Sequence, residues 1–178
     1  MIVILMGVTG TGKTSVGHAL AEATGWPFAD ADDFHSEANK AKMHAGIPLT
    51  DEDRASWLQN MHTQVQQWAR AGLDAILACS ALKESYRVTL TEGVPKGLIR
   101  WIYLSGPVSV IRERMEARQG HYMPVSLLPS QLATLEPPHN AVEISITQPV
   151  SAMVSQILSA LARTDGPLKT MLKNQEGL

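Results

Sequence analysis

Hydrophobic positions along the chain follow two periods, and these separate strands from helices. Ile2-Val-Ile-Leu-Met6 is an unbroken apolar run rich in β-branched residues, which predicts a buried strand. A Gly-rich turn follows it, then a helix from about Gly12 to Ala23. Gly25-Trp-Pro27 punctuates the chain, and Trp26–Asp32 reads as a second short strand. Thr50 has the character of an N-cap, with Asp51, Glu52 and Asp53 in the first turn where acidic groups meet the helix dipole. Trp57, Leu58, Met61, Val65 and Trp68 then recur at helical spacing, so Asp51–Ala71 is predicted as an amphipathic helix. Ala75–Ala78, Ile99–Leu104 and Val142–Ile146 supply three further buried strands. Helices are predicted at Glu84–Glu92, Pro107–Arg118, Ser126–Leu135 and Pro149–Ala162, the last with a stripe of Val150, Met153, Ile157 and Leu161.

Strands that alternate with helices in this way imply right-handed crossovers and a parallel sheet covered on both faces. The chain is therefore expected to be α/β, with residues 1–163 as one domain and residues 164–178 as a tail interrupted by Gly166-Pro167. Lys plus Arg number 15 against 17 Asp plus Glu, a formal net charge of -2. No global basic field is available for nucleic acid or an anionic membrane, so any anion site must be local. Cys79 is the single cysteine, which excludes an internal disulfide and a Cys-based zinc cluster. With no basic lead-in or long apolar span, the expected location is the cytoplasm.

Gly7-Val8-Thr9-Gly10-Thr11-Gly12-Lys13-Thr14 fits G-x-x-x-x-G-K-[ST] at every fixed position, between a predicted strand and a predicted helix. Glycines let successive backbone N–H groups converge on phosphate oxygens, and the helix N-terminus adds partial positive charge. Lys13 is expected to reach the β- and γ-phosphates of ATP, and the Thr14 hydroxyl to ligate Mg²⁺, with Ser15 closing the loop. Base-reading motifs of GTP switches are missing: Asn39-Lys-Ala-Lys42 lacks the final Asp, and no Asp has Gly three residues later. A small-molecule kinase is the better reading.

The second strand ends in Asp30-Ala-Asp32-Asp33-Phe34-His35, at the strand ends where a parallel sheet carries its ligand crevice. Asp30 is assigned to a water of the Mg²⁺ shell and Asp32 to an acceptor hydroxyl; the alternative is that both cap the next helix. Asp33 is expected to be the exposed one. His35 is either a hydrogen-bonder to substrate hydroxyls or a structural one. Arg54 either pairs with Asp51 on a solvated face or forks a substrate carboxylate. Lys83 and Arg87, four apart behind the third strand, are expected to share a helix face and recognise an anionic or polyhydroxy acceptor. Cys79 reads as a packed core thiol. Arg112, Arg114 and Arg118 precede Gly120-His-Tyr-Met-Pro124; this stretch is read as a lid over about 112–136 that brings Arg114 and Arg118 to the triphosphate, the alternative being a surface where they pair with Glu113 and Glu116.

Taken together these residues give the chain a pattern that resembles the gluconate kinases, small P-loop enzymes that phosphorylate D-gluconate at its 6-hydroxyl with ATP. Four blocks carry the likeness: Leu5 to Thr14; Asp30-Ala-Asp32 with His35, Asn39 and Lys42-Met43; Gly46 to Arg54 with Trp57-Leu58; and Cys79-Ser-Ala-Leu-Lys83 with Tyr86-Arg87. A fifth runs through Arg114, Arg118 and Gly120-His-Tyr122 to Ser130-Gln131, Thr134-Leu-Glu136 and Pro137. The family usually has Gly where this chain has Ala31, and Pro where it has Ser36. The resemblance covers about residues 2–162. It implies a five-stranded parallel sheet of the nucleoside monophosphate kinase type, a mobile lid near Arg118 and a homodimer. It also implies that Lys13, Asp32 and Arg118 are catalytic, and that Asp32, His35, Arg54, Lys83, Arg87, His121 and Gln131 bind the acceptor. Shikimate kinase is a rival, but it carries a Gly-rich turn where this chain has Ser80-Ala-Leu-Lys83. A nucleotide-binding regulatory protein is the rival outside the enzymes.

Overall fold

A computed structural model describes residues 1–117 and 124–164. Its sheet contains β1 (Ile2–Met6), β2 (Phe28–Asp30), β3 (Ala75–Ala78), β4 (Ile99–Ser105) and β5 (Val142–Ser145). All pairings are parallel, in the order β2-β3-β1-β4-β5. β1 lies at the centre, with Ile4 beside Leu77 on one side and Trp101 on the other. Every residue of β1 is buried, because both faces of the sheet are covered by helices.

Period two divides β1 between two cores. Val3 and Leu5 join Val16 and Leu20 of α1 (Lys13–Thr24), Ile111 and Met115 of α5 (Val108–Ala117), and Met153, Ile157 and Leu161 of α7 (Val150–Thr164). Ile2, Ile4 and Met6 face the other way, onto Trp57, Met61 and Val65 of α3 (Asp51–Arg70) and Tyr86 and Leu90 of α4 (Glu84–Thr91). Full burial of each such side chain is worth about 1.5–3 kcal/mol, so this division fixes the strand's register firmly. The remaining helices, α2 (Glu37–His44) and α6 (Leu128–Thr134), lie towards the cleft: Met43 of α2 meets Leu49 and Leu127 in a small separate cluster.

The chain leaves β1, crosses to β2 at the sheet's edge, returns to fill the gap with β3, and then moves to the opposite side of β1 for β4. The strand order therefore reverses around β1, and the crevice beyond the strands' C-terminal ends opens there. Two boundaries and one unexpected helix differ from the sequence expectation. β2 stops at Asp30, because the Asp30 side chain accepts the Asp32 N–H at 3.0 Å and turns the chain into a 3₁₀ helix over Ala31–Phe34. The helix α2 has no apolar stripe in its sequence; Ser36 caps it by accepting the Asn39 N–H at 3.2 Å. The segment expected as one helix over Ser126–Leu135 begins as a 3₁₀ turn, Val125–Leu127, before α6.

Candidate active site

The phosphate-cradle motif lies between β1 and α1, as its spacing requires. Gly7 has φ +144°, and a Cβ there would sit 2.6 Å from the Leu104 carbonyl oxygen. Gly10 has φ +83°, and its Cβ would fall 2.8 Å from Met115 Cγ. Both positions exclude a side chain on conformation and on space, which is why the loop is written in glycine. Lys13 folds its ammonium back onto the loop, donating to the Gly7 and Val8 carbonyls at 3.0 and 3.1 Å. The Thr9 N–H donates to Gln131 Oε1 at 2.8 Å, so α6 is tied to the loop. Arg114 lies alongside, 3.9 Å from where a Gly12 Cβ would be, and donates to the Ile146 carbonyl at 2.6 Å.

Thr14 Oγ1 donates to Asp30 Oδ2 at 2.6 Å, bringing the P-loop hydroxyl to the end of β2. Asp30 thus both caps the following turn and meets the P-loop hydroxyl. A hydroxyl and a carboxylate side by side are hard oxygen donors of the kind Mg²⁺ takes, alongside phosphate oxygens and water. Asp32 stands on the 3₁₀ turn rather than on a strand, and Asp33 beside it is exposed.

A cleft opens where these elements meet, and Thr9, Lys13, Asp30, Asp32, His35, Arg54, Ser80, Tyr86 and Gln131 all contribute to its wall. His35 is 9% exposed and stacks on Trp57 with ring centroids 4.6 Å apart. Its Nδ1 is buried without a hydrogen-bond partner. Burial, then the nearby charges of Arg54 and Lys40, push its pKa down to about 4, so the imidazole is neutral near pH 7. Trp57 is itself fixed, donating Nε1–H to the Ala31 carbonyl at 2.7 Å. Ala31 needs no left-handed backbone: among the described residues the one non-glycine with positive φ is Ala81. The departures from the family's Gly and Pro therefore fit locally, with Ala31 anchoring Trp57 and Ser36 capping α2.

Other motif residues frame the cleft. Asn39 donates to the Asp53 carbonyl at 2.7 Å and Lys42 to the Asp53 carboxylate at 2.6 Å, which docks α2 on the start of α3. Lys42 and the Thr50 cap hold the Asp53 carboxyl down to about 2. Arg54 donates to the Leu49 carbonyl at 2.6 Å and to Tyr86 Oη at 3.3 Å, and lies 3.8 Å from Asp51. It keeps the Asp51 pairing of the first reading yet lines the cleft as the second requires.

Two expectations are corrected. Lys83 and Arg87 do not share a helix face, because Lys83 is the N-cap of α4 and lies outside it. Lys83 is taken by both oxygens of Asp51, at 2.8 and 2.7 Å, and lies off the cleft wall. Arg87 Nη1 donates to the carbonyls of Ala81, Leu82 and Glu136, and its side chain borders a separate groove. The sequence reading gave no role to Trp57 or Tyr86 beyond their place in the motif blocks; Trp57's neighbours at helical spacing pointed only to a core face. The expectations for Arg118, Gly120, His121 and Tyr122, and for residues 165–178, lie outside the described residues.

A family model described as an AAA domain matches residues 2–138. The gluconokinase of Gluconobacter oxydans (strain 621H) is 47% identical over 136 residues, covering 76% of this chain and 75% of its own length. The thermosensitive gluconokinase of Escherichia coli (strain K12) is 38% identical over 162 residues, covering 89% and 86%. The chain belongs to the gluconokinase family. A solved structure of a gluconokinase from Sinorhizobium meliloti 1021 superposes with TM-score 0.82 at 42% identity, over 95% of both chains. The AAA-domain match over residues 2–138 spans the P-loop, the Asp30–His35 turn and the β3–α4 loop together, so the wall of the cleft falls within it.

Proposed function

We propose that this protein transfers the γ-phosphoryl group of ATP to the 6-hydroxyl of D-gluconate, giving 6-phospho-D-gluconate and ADP. The observation that carries this reading is the meeting of Lys13 and Thr9 with Asp30, Asp32, His35 and Arg54 on the wall of one cleft. The triphosphate docks on the Gly7–Thr14 amides and the N-terminus of α1, with the Lys13 ammonium moving from the Gly7 and Val8 carbonyls to phosphate oxygen. Thr14 would hold Mg²⁺ and Asp30 a water of its shell, and the bound ion would supply positive charge against the phosphates. The Asp32 carboxylate takes no hydrogen bond from another described side chain and faces the acceptor side. As the bond from O6 to the γ-phosphorus forms and the bond to the ADP oxygen breaks, Asp32 accepts the hydroxyl proton. His35, neutral and stacked on Trp57, presents its ring edge to an acceptor hydroxyl. Arg54 meets the acceptor carboxylate at the far wall.

Phosphoryl transfer asks mainly for positioning and charge stabilisation. Arg114 stands beside the P-loop for that purpose; Arg118, as a charge partner of the transferred group, and His121, as an acceptor contact, complete the reading. Residues 1–163 act as one catalytic unit, with the lid about 112–136. The working form is taken as a cytoplasmic homodimer on the family resemblance; among the described residues, no helix is long and apolar enough to cross a membrane.

The test is a coupled ADP-release assay with ATP and Mg²⁺ across gluconate, other aldonic acids, shikimate and nucleoside monophosphates. Turnover on gluconate above all others is expected, and Asp32→Asn should abolish most of it. Silence on gluconate with turnover elsewhere would overturn the acceptor, and an Asp32→Asn variant with unchanged turnover would remove Asp32 as the base.

A further inference from the structure

The loop from Cys79 to Lys83 joins β3 to α4, and Cys79, Ser80 and Leu82 line the cleft. At its centre Ala81 is 1% exposed and takes φ +43°, a left-handed conformation that costs any residue with a Cβ. Such a conformation persists only where neighbours over-determine it. Three groups do so here. Gly7 N–H donates to the Ser80 carbonyl at 3.4 Å, from the P-loop side. Glu136 N–H donates to the Leu82 carbonyl at 2.8 Å, from the segment just after α6. Arg87 Nη1 reaches the Ala81, Leu82 and Glu136 carbonyls at 3.0, 3.3 and 3.0 Å. The Glu136 carboxylate adds a fourth tie, accepting the Glu84 N–H at 2.6 Å where α4 begins.

These contacts close a ring. Gln131 of α6 holds the Thr9 amide of the P-loop, and Glu136, five residues on, holds the acceptor-side loop. We propose that Arg87 and Glu136 are positioning residues that latch the Cys79–Lys83 loop in its left-handed form and so set the acceptor wall of the cleft. Arg87 works through main-chain carbonyls, not by touching the sugar acid. The inference rests on the phosphoryl-transfer reading above, and it separates from that reading at two points: the role of Arg87, and a readout that needs no acceptor.

The experiment measures kcat and KM for gluconate and for ATP in the full chain and in Arg87→Ala, Arg87→Lys, Glu136→Ala and Glu136→Gln. Hydrogen exchange at the Glu84 amide is followed in the same proteins. Arg87→Ala should raise the gluconate KM by about tenfold, the scale of releasing one left-handed non-glycine residue, with the ATP KM moved less than about twofold. Arg87→Lys should recover most of the loss, since an ammonium offers three donors to the same carbonyls, whereas a bidentate carboxylate contact would not survive that change. Adding Ala81→Gly to Arg87→Ala should bring the gluconate KM back towards that of Ala81→Gly measured alone, because glycine holds φ +43° unaided. Glu84 protection should fall in Glu136→Ala and persist in Glu136→Gln, whichever acceptor the enzyme takes.

An Arg87→Ala gluconate KM that Ala81→Gly and lysine both fail to lower means that Arg87 contacts substrate, and overturns the latch. A KM unchanged in Arg87→Ala, even with a lower melting temperature, reduces the ring to a structural role and also overturns it. If the wild-type chain turns over another aldonate instead, the same series is read with that acceptor; if Arg87→Ala does not fold, the Glu136 pair decides.

Discussion

His35 gives the sharpest pH prediction, because its imidazole is buried against Trp57 with its Nδ1 unpaired. An unfolded chain protonates this residue near 6.5, while burial first, then Arg54 and Lys40, lowers it to about 4 in the folded protein. The unfolded state therefore binds the proton first as pH falls, so stability is complete above about 6.5 and is lost progressively down to about 4. At 1.36 kcal/mol per pH unit, the interval from 6.5 to pH 5 amounts to about 1–2 kcal/mol after allowance for the ring's residual contact with solvent. The perturbation is His35→Gln, which removes the titration and keeps a neutral hydrogen-bonding side chain. Urea unfolding followed by tryptophan fluorescence at pH 7 and pH 5 gives the stability of each protein. The wild type should lose about 1–2 kcal/mol more than the variant between the two pH values. Asp51 and Asp53, whose carboxyls are lowered by Lys83 and Lys42, titrate below this window and are common to both proteins. Equal losses in wild type and His35→Gln would refute the reasoning, and would mean that the ring is charged or solvated in the folded state.

Three further outcomes follow from the same geometry. Lys13→Met should lower kcat by about a hundredfold or more with little change in urea midpoint, and a loss below about tenfold would remove the lysine from charge stabilisation. Gly17→Ala places a Cβ 2.2 Å from Phe28 Cε2, so urea unfolding should show a net loss of about 1–2 kcal/mol after the gain in helix propensity. A neutral Gly17→Ala would mean that β2 shifts freely on α1. The Cys79 thiol is fully buried and pushed up to about 12 by that burial, so a thiol reagent at pH 8 should label it only on unfolding; rapid labelling of the folded protein would contradict the buried core assignment.

The elements that can be read from sequence are those whose burial imposes a period. β1, β3 and the long helix α3 announce themselves because both faces of the sheet, or one face of the helix, must be apolar. The P-loop is legible for a different reason: Gly7 and Gly10 are the sole kind of residue that fits their φ and their contacts. α2 carries no such signal. Its buried members are Asn39 and Met43, and its stability comes from the Ser36 cap and from the bonds of Asn39 and Lys42 to Asp53, eleven or more residues away. The turn at Ala31–Phe34 is hidden in the same way, since one side-chain bond from Asp30 decides between strand and 3₁₀ helix.

The site residues divide along a similar line. Local spacing brought Lys13, Thr14, Asp30 and Asp32 together correctly, because each follows directly from a strand end. Spacing misplaced Lys83 and Arg87, because what fixes them lies 32 residues away in Asp51 and 49 residues away in Glu136. Lys83, Arg87, Asn39 and Lys42 have protein acceptors in hand and lie off the cleft wall, whereas Lys13 and Arg54, which also bond to main-chain carbonyls, line it. The His35 Nδ1 has no hydrogen-bond partner, and the residue lines a cleft whose other walls are a phosphate cradle and a carboxylate. An orphaned polar atom at such a place costs stability in the empty protein. The motif blocks of the family therefore contain two kinds of residue under one pattern, and their place on or off the cleft wall, not the spacing, tells them apart.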